Sequence, residues 1–199
     1  MIFSYRVCTI APKSKSGVRN MVRKTVMAGI AAAVMTTGAF AAKPVTTTVT
    51  LTEEQLDTLV FIYQEEKVAR DTYITLGDIY SNQTVFANIQ LSEQEHIDKA
   101  EGLCETYGAD TSAINEQEVG EFVVPVLQEL YDTLVAQGSQ SELSALMVGE
   151  YIEITDIDDL EEAEVGMPSD VVSTYENLKE GSLSHLAAFR DAIDAYNNR

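Results

Sequence analysis

The chain has 199 residues, 45% of them hydrophobic, no tryptophan and a formal net charge of −19. Six of its 13 basic residues and none of its 32 acidic ones lie in the first 42 positions, so from Lys43 onward 7 basic residues face 32 acidic ones, a net −25. A surface that negative repels nucleic acid and anionic lipid and attracts cations, and the length suits one compact domain with a substantial core plus an extension.

Residues 1–42 read as an N-terminal extension and signal peptide. Arg23 and Lys24 form a basic region, Val26 to Met35 a short apolar run, and Ala39-Phe40-Ala41 a small-x-small cleavage signal. The apolar run is too short to span a bilayer, which predicts cleavage near Ala41-Ala42 and a periplasmic or secreted product with no membrane attachment. Residues 1–20 resemble neither a signal nor a fold, so Met21 is a second candidate start. The competing reading is a buried N-terminal helix or a membrane anchor. Cys8 lies in this extension. Cys104 is then a single thiol, which excludes an internal disulfide and CxxC zinc chemistry and fits a small buried hydrophobe.

Residues 43–51 form a polar, β-branched tether, and 52–197 form the folded domain. Thr52-Glu53-Glu54-Gln55 is a capping box that opens a first long helix running to about Tyr80. After a turn at 81–84, a second runs from about Val85 to Tyr107 and stops at Gly108. Residues 109–121 are polar and aperiodic. A short helix follows from Pro125, favoured in a first turn, to Gln137, with Gly138 as its stop. A third long helix spans about 141–162. Gly166-Met167-Pro168 breaks it, and Ser169 caps a fourth that continues to about Tyr196. Tight turns join helices one to two and three to four, while about thirty residues separate two from three, enough to cross the bundle from end to end. The expectation is all-α: a ferritin-like four-helix bundle with a long crossover containing a short extra helix.

A bundle helix faces its core with residues spaced alternately three and four apart. The four seams are Leu56, Leu59, Tyr63, Glu66, Arg70 and Tyr73; Phe86, Ile89, Glu93, His96, Ala100 and Leu103; Leu146, Gly149, Glu153, Asp156 and Leu160; and Val171, Tyr175, Leu178, Ser182, His185 and Phe189. Each is apolar toward its ends and polar in its middle. Aligned side by side, the four interruptions meet at one level. Isolated buried carboxylates cost several kcal/mol each, and two divalent cations would relieve four converging ones by turning them into ligands. The candidate metal ligands are Glu66, Glu93, His96, Glu153, Asp156 and His185. Residues three apart share a helix face, so Glu93 can bridge two metals while His96 binds one, and Glu153 with Asp156 repeats that spacing. The two histidines of the whole chain both fall at mid-seam.

Each residue alone has a plainer reading. Glu66 could pair with Arg70, either histidine could be an ordinary core residue, and Glu153 and Asp156 could face solvent with Tyr151, Ile154 and Ile157 inward. Glu150 could replace Asp156 if the helix rotates. Tyr63 and Tyr73 suit core packing, or donation to the site carboxylates. Arg70 is a candidate to neutralise their excess charge.

Glu65-Glu66-Lys67-Val68-Ala69-Arg70-Asp71 with Tyr73 resembles the first-helix motif of a ferritin-like family of bacteria and archaea, numbered 2202 among domains of unknown function, and more distantly the first helix of rubrerythrin. Ser92-Glu93-Gln94-Glu95-His96, Leu130-Tyr131-Asp132, Val148-Gly149, Ile152-Glu153, Asp156-Ile157, Gly181-Ser182, His185-Leu186 and Phe189 continue the likeness over about residues 52–195. The resemblance implies a di-iron carboxylate site with Glu66, Glu93, His96 and His185 as ligands. Ser182 departs from the usual Glu-x-x-His of the fourth helix, so Asp156 would have to supply the second bridging carboxylate; otherwise the site is mononuclear, asymmetric or non-iron. The expected cofactor is two iron ions, with manganese or another divalent metal as the alternative. The expected activity is that of an oxidase or peroxidase acting on a small oxidant, dioxygen or peroxide, with electrons from an external donor. Metal sequestration, or an interaction module with an inactive site, are the competing functions. A monomer or homodimer is expected rather than a cage.

Overall fold

The computed structural model describes residues 49–199. The signal peptide, its cleavage near Ala41-Ala42 and most of the 43–51 tether lie outside the described residues. Within them the chain is all-helical, with four long helices and one short one: α1 Glu53–Ile79, α2 Thr84–Tyr107, α3 Pro125–Gly138, α4 Glu142–Ala163 and α5 Ser169–Asn197.

Local chemistry sets these boundaries. Thr52 Oγ1 accepts from the Gln55 backbone N–H at 3.2 Å, and Gln55 Oε1 accepts from the Thr52 N–H at 2.9 Å, which closes the expected capping box. Leu51 and Leu56, just before and just inside this cap, join one apolar cluster, as in a hydrophobic staple. Gly108 ends α2 with φ at +72°, a conformation that glycine adopts without a Cβ penalty. Two boundaries differ from the sequence reading. Pro168, not Ser169, is the N-cap of α5, and Gly138 is the last residue of α3, where a Cβ would meet Leu76.

α1 packs against α2 and α4, and α5 against α2 and α4, while α3 lies on α1 and α4. At one end, Gln55 donates to Gly166 O at 2.9 Å, and Tyr107 donates to Asp170 at 2.7 Å. At the other, Asn82, Gln83 and Arg199 converge on Glu142. α2 therefore ends at the opposite end of the bundle from the start of α4, and residues 109–141 run its length. The crossover expected from helix spacing is present.

The core has two apolar clusters. One gathers Tyr73, Leu76, Phe86, Ile89, Leu146 and Phe189; the other gathers Leu59, Ile62, Ile97, Leu103, Leu160, Val171 and Leu178. Each fully buried side chain contributes about 1.5–3 kcal/mol. Between the clusters lies a buried polar belt. No helix among the described residues is long and apolar enough to cross a membrane.

Candidate metal centre

The belt contains all six residues singled out from the sequence, each from the middle of its helix. Glu66 comes from α1, Glu93 and His96 from α2, Glu153 and Asp156 from α4, and His185 from α5. None is more than 7% exposed. The solvent-facing alternative for α4 does not hold, because Tyr151 and Ile154 are the exposed residues and Glu150 pairs with Arg190 at 2.8 Å on the surface.

Glu93 is the hub. Its Oε2 lies 3.1 Å from His96 Nδ1 and its Oε1 lies 2.9 Å from His185 Nδ1. Glu66 Oε2 stands 3.2 Å from His96 Nδ1, and Glu153 Oε2 stands 3.5 Å from His185 Nδ1. The two imidazoles stack with centroids 5.3 Å apart. One carboxylate thus spans two histidines, and each histidine has a further carboxylate at its side. Asp156 approaches neither ring. Its Oδ2 lies 2.6 Å from Ser182 Oγ, which donates to it. Ser182 of α5 thus pairs with the Asp156 carboxylate of α4.

Other groups hold these side chains. The Tyr73 hydroxyl donates to Glu153 Oε1, so Tyr73 is a donor to the belt as well as a core residue. His185 Nε2 lies 2.8 Å from Ser92 Oγ, which turns Nδ1 inward toward Glu93. A Cβ at Gly181 would overlap the His96 ring. Sequence reasoning assigned no role to Ser92 or Gly181. A glycine inside a helix costs about 1 kcal/mol relative to alanine, so Gly181 carried a readable sign of close approach. Glu65 was missed too: it is a carboxylate only 9% exposed.

One expectation fails, and Tyr63 keeps the core-packing role of its two readings, buried among the apolar residues. Arg70 does not neutralise the belt; its guanidinium turns outward to Asp71, Gln94 and Glu116. Tyr63 donates to Glu116 rather than to a belt carboxylate. Both follow the crossover, which brings Glu116 against the outer side of α1.

The electrostatics show a strained balance. Burial pushes Glu66 upward against the pull of His96. Burial and the Glu93 charge lift Glu153 to about 8, and burial with the Glu66 charge raises Asp156 well above the carboxylate range. Burial opposes ionisation of Glu93 as well, but hydrogen bonds from His185 and His96 bring it down to about 2. Burial also opposes charge on the rings, yet Glu66 and Glu93 lift His96 to about 11, and Glu153 and Glu93 lift His185 to about 9.

Glu66 Oε1, Glu93 Oε1 and His185 Nδ1 are fully buried with no aligned hydrogen-bond partner. Glu93 Oε1 and His185 Nδ1 approach to 2.9 Å all the same. Carboxylate and imidazole atoms crowded into a buried site with too few donors between them are what a bound cation satisfies. Glu93, His96 and His185 each offer a ligand atom within 4.8 Å of the others. The residues fit a divalent metal.

The chain is similar to uncharacterized protein MJ0754 of Methanocaldococcus jannaschii, at 40% identity over 147 residues, 73% of this chain and 78% of that one. Its fold is similar to the crystal structure of hypothetical protein MJ0754 from Methanococcus jannaschii, with a TM-score of 0.70 and 36% identity, covering 80% of this chain and 87% of that one. The family described as "Uncharacterized protein domain (DUF2202)" matches residues 55–199, which contain the whole belt, and the chain belongs to that family.

Proposed function

We propose that the belt binds two divalent transition metals, iron foremost and manganese as the alternative, in an exported, redox-active protein that acts on dioxygen or peroxide. The observation that carries this reading is the geometry of Glu93, with one carboxylate oxygen at each histidine. Glu66, His96 and Glu93 would hold one ion; Glu93, His185 and Glu153 the other; Asp156 would add a further carboxylate from α4. Such a pair of ions, when bound, shares the electrons of O–O cleavage.

The chain's own groups keep the site ordered and dry. Tyr73 holds Glu153, Ser182 holds Asp156, and Ser92 orients the ring of His185. Tyr73, Phe86 and Phe189 pack with ring centroids 5.1–6.2 Å apart and exclude water below the belt. The electron donor is external. Export rests on the Arg23–Ala42 pattern of the sequence.

The net −25 from Lys43 onward favours a second reading, sequestration of metal without turnover. Elemental analysis of the protein and of His96→Ala and His185→Ala, with dioxygen consumption followed after anaerobic Fe²⁺ loading, separates the readings. Two metals per chain in the wild type, loss in both variants and sustained consumption are expected. Two metals retained in both variants rejects the ligand set. Binding without turnover favours sequestration, and a folded protein that takes up no metal is an interaction module.

A further inference from the structure

Three ion pairs tie α5 to α4 and its cap: Arg199 to Glu142 at 2.9 Å, Arg190 to Glu150 at 2.8 Å and Lys179 to Glu164 at 3.0 Å. They fix the two helices in antiparallel register. Between the Arg190 and Lys179 pairs the outer side of the seam is apolar. Ile154 and Ile157 lie four and seven residues beyond Glu150, and Leu183 and Leu186 lie four and seven beyond Lys179, so each couple shares a helix face with the charged residue before it. Ile154 is 40% exposed and Leu183 is 55% exposed, while Met147 and Tyr151 carry the exposed row toward the start of α4.

Charge separates this face from the rest of the surface. The described residues hold six basic side chains, of which Lys67 and Arg70 are buried. Of the four that remain, three are the cations of the seam's ion pairs, and only Lys99 lies elsewhere. A basic partner would be drawn to the other, more acidic faces. Two copies of this chain, each carrying −25 from Lys43 onward, repel one another least where cations answer the acids.

We propose that a second copy of this chain docks on the α4–α5 face, antiparallel about a two-fold axis near Ile154 and Ile157. α4 is uncharged from Leu143 to Gly149 and ends in Glu161 and Glu162. Parallel copies would stack the acidic ends. Antiparallel copies lay each acidic end against an uncharged stretch and set Arg190 of one level with Glu161 of the other. Such a self-complementary patch closes as a dimer. α4 and α5, with 22 and 29 residues, reach about 33 and 43 Å, room for the roughly 800 Å² per partner of a stable dimer. The contact does not depend on the belt holding metal.

Sedimentation equilibrium of the full chain tests this, with circular dichroism as the check on folding. The wild type is expected to dimerise reversibly. Ile154→Lys and Leu183→Lys are each expected to weaken the dimer by about tenfold or more. Leu91→Lys, at a still more exposed leucine on α2, is expected to change it less than about twofold. Arg190→Glu should also weaken it, and adding Glu161→Arg should restore it. Within one chain Glu161 stands beside the Lys179 end of the seam, and Arg190 lies about 16 Å further along α5, so the swapped charges meet only between copies. A wild type that stays monomeric at every concentration overturns the proposal. So does a dimer that survives both seam lysines, or one that Leu91→Lys breaks equally. A charge swap that restores nothing overturns the antiparallel arrangement.

Discussion

α1 buries charge on two faces, and the two clusters are built on opposite principles. On its outer face, Lys67 is 0% exposed, and its ammonium donates to Asp71 Oδ2 at 2.6 Å, Glu118 O at 2.8 Å and Glu121 O at 3.1 Å. Three N–H groups meet three acceptors. Asp71 also accepts from Arg70 at 2.8 Å and from the Gly120 N–H at 2.9 Å, while Arg70 reaches Gln94 and Glu116 O. Two cations answer two carboxylates, Asp71 and Glu116, and the network straps the crossover to α1. One residue away, on the inner face, Glu66 enters a belt where four carboxylates share two imidazoles and its own Oε1 is buried without a partner. Buried charge with matched partners holds a fold together; buried charge with orphaned lone pairs is a site built to hold something else.

The comparison breaks most visibly at Asp71. Asp71→Ala leaves Lys67 buried without its carboxylate, which costs about 3–5 kcal/mol. Urea denaturation should show that loss, while the metal content of the folded protein stays at the wild-type value. A variant that keeps its stability would mean the strap is ornamental. The two close-packed glycines sharpen the same contrast at a smaller scale. A Cβ at Gly149 overlaps the Phe189 ring, which is locked by Tyr73 and Phe86, so Gly149→Ala should cost about 1–3 kcal/mol. A Cβ at Gly181 overlaps only the outer edge of the His96 ring. That ring is held by Glu66, Glu93 and His185, so Gly181→Ala should displace a ligand more than it unsettles the apolar core. Metal affinity should instead fall by about 10–100-fold, the usual consequence of a displaced ligand support. Calorimetry and metal titration on the pair would separate packing from ligation, and equal affinity in both variants would deny His96 its place.

Much of this could be read before the fold was seen, for a physical reason. Helix ends are local: Thr52 with Gln55, Gly108 and Pro125 mark boundaries with chemistry only a few residues long. Mid-seam polarity is nearly local as well, because one period of 3.6 residues decides which side chains share the core. What escaped depends on contacts between distant segments. Residues 109–121 read as polar and aperiodic because much of their work is done by backbone groups, which carry no sequence signature. Lys67 and Arg70 look like any solvated pair until the crossover covers them. Arg70, placed on the core seam by period alone, is drawn outward by Asp71 and Glu116. Ser92 reveals its role only when α5 brings His185 beside it.

The smallest expected effect is on pH, and it discriminates between the two clusters without any mutation. Glu153 titrates near 8 in the folded chain against an ordinary 4.5, because burial and the Glu93 charge favour its protonated form. A group raised on folding contributes stability that is whole below its unfolded value and is lost as pH climbs through the folded one. The belt of the chelator-treated protein should therefore lose stability between about pH 4.5 and 8. His96 and His185 also rise on folding, but their contribution is whole below 6.5 and lost only through about 11 and about 9, so much of it persists at pH 8. Bound metal needs these carboxylates ionised and so reverses the preference. The Co²⁺-loaded protein should hold its melting temperature, or gain, across that window, and loading near pH 6 should release protons into a weakly buffered indicator solution. Two melting curves that fall together with pH, loaded and unloaded alike, would place the excess charge outside the belt and remove the distinction between the two faces of α1.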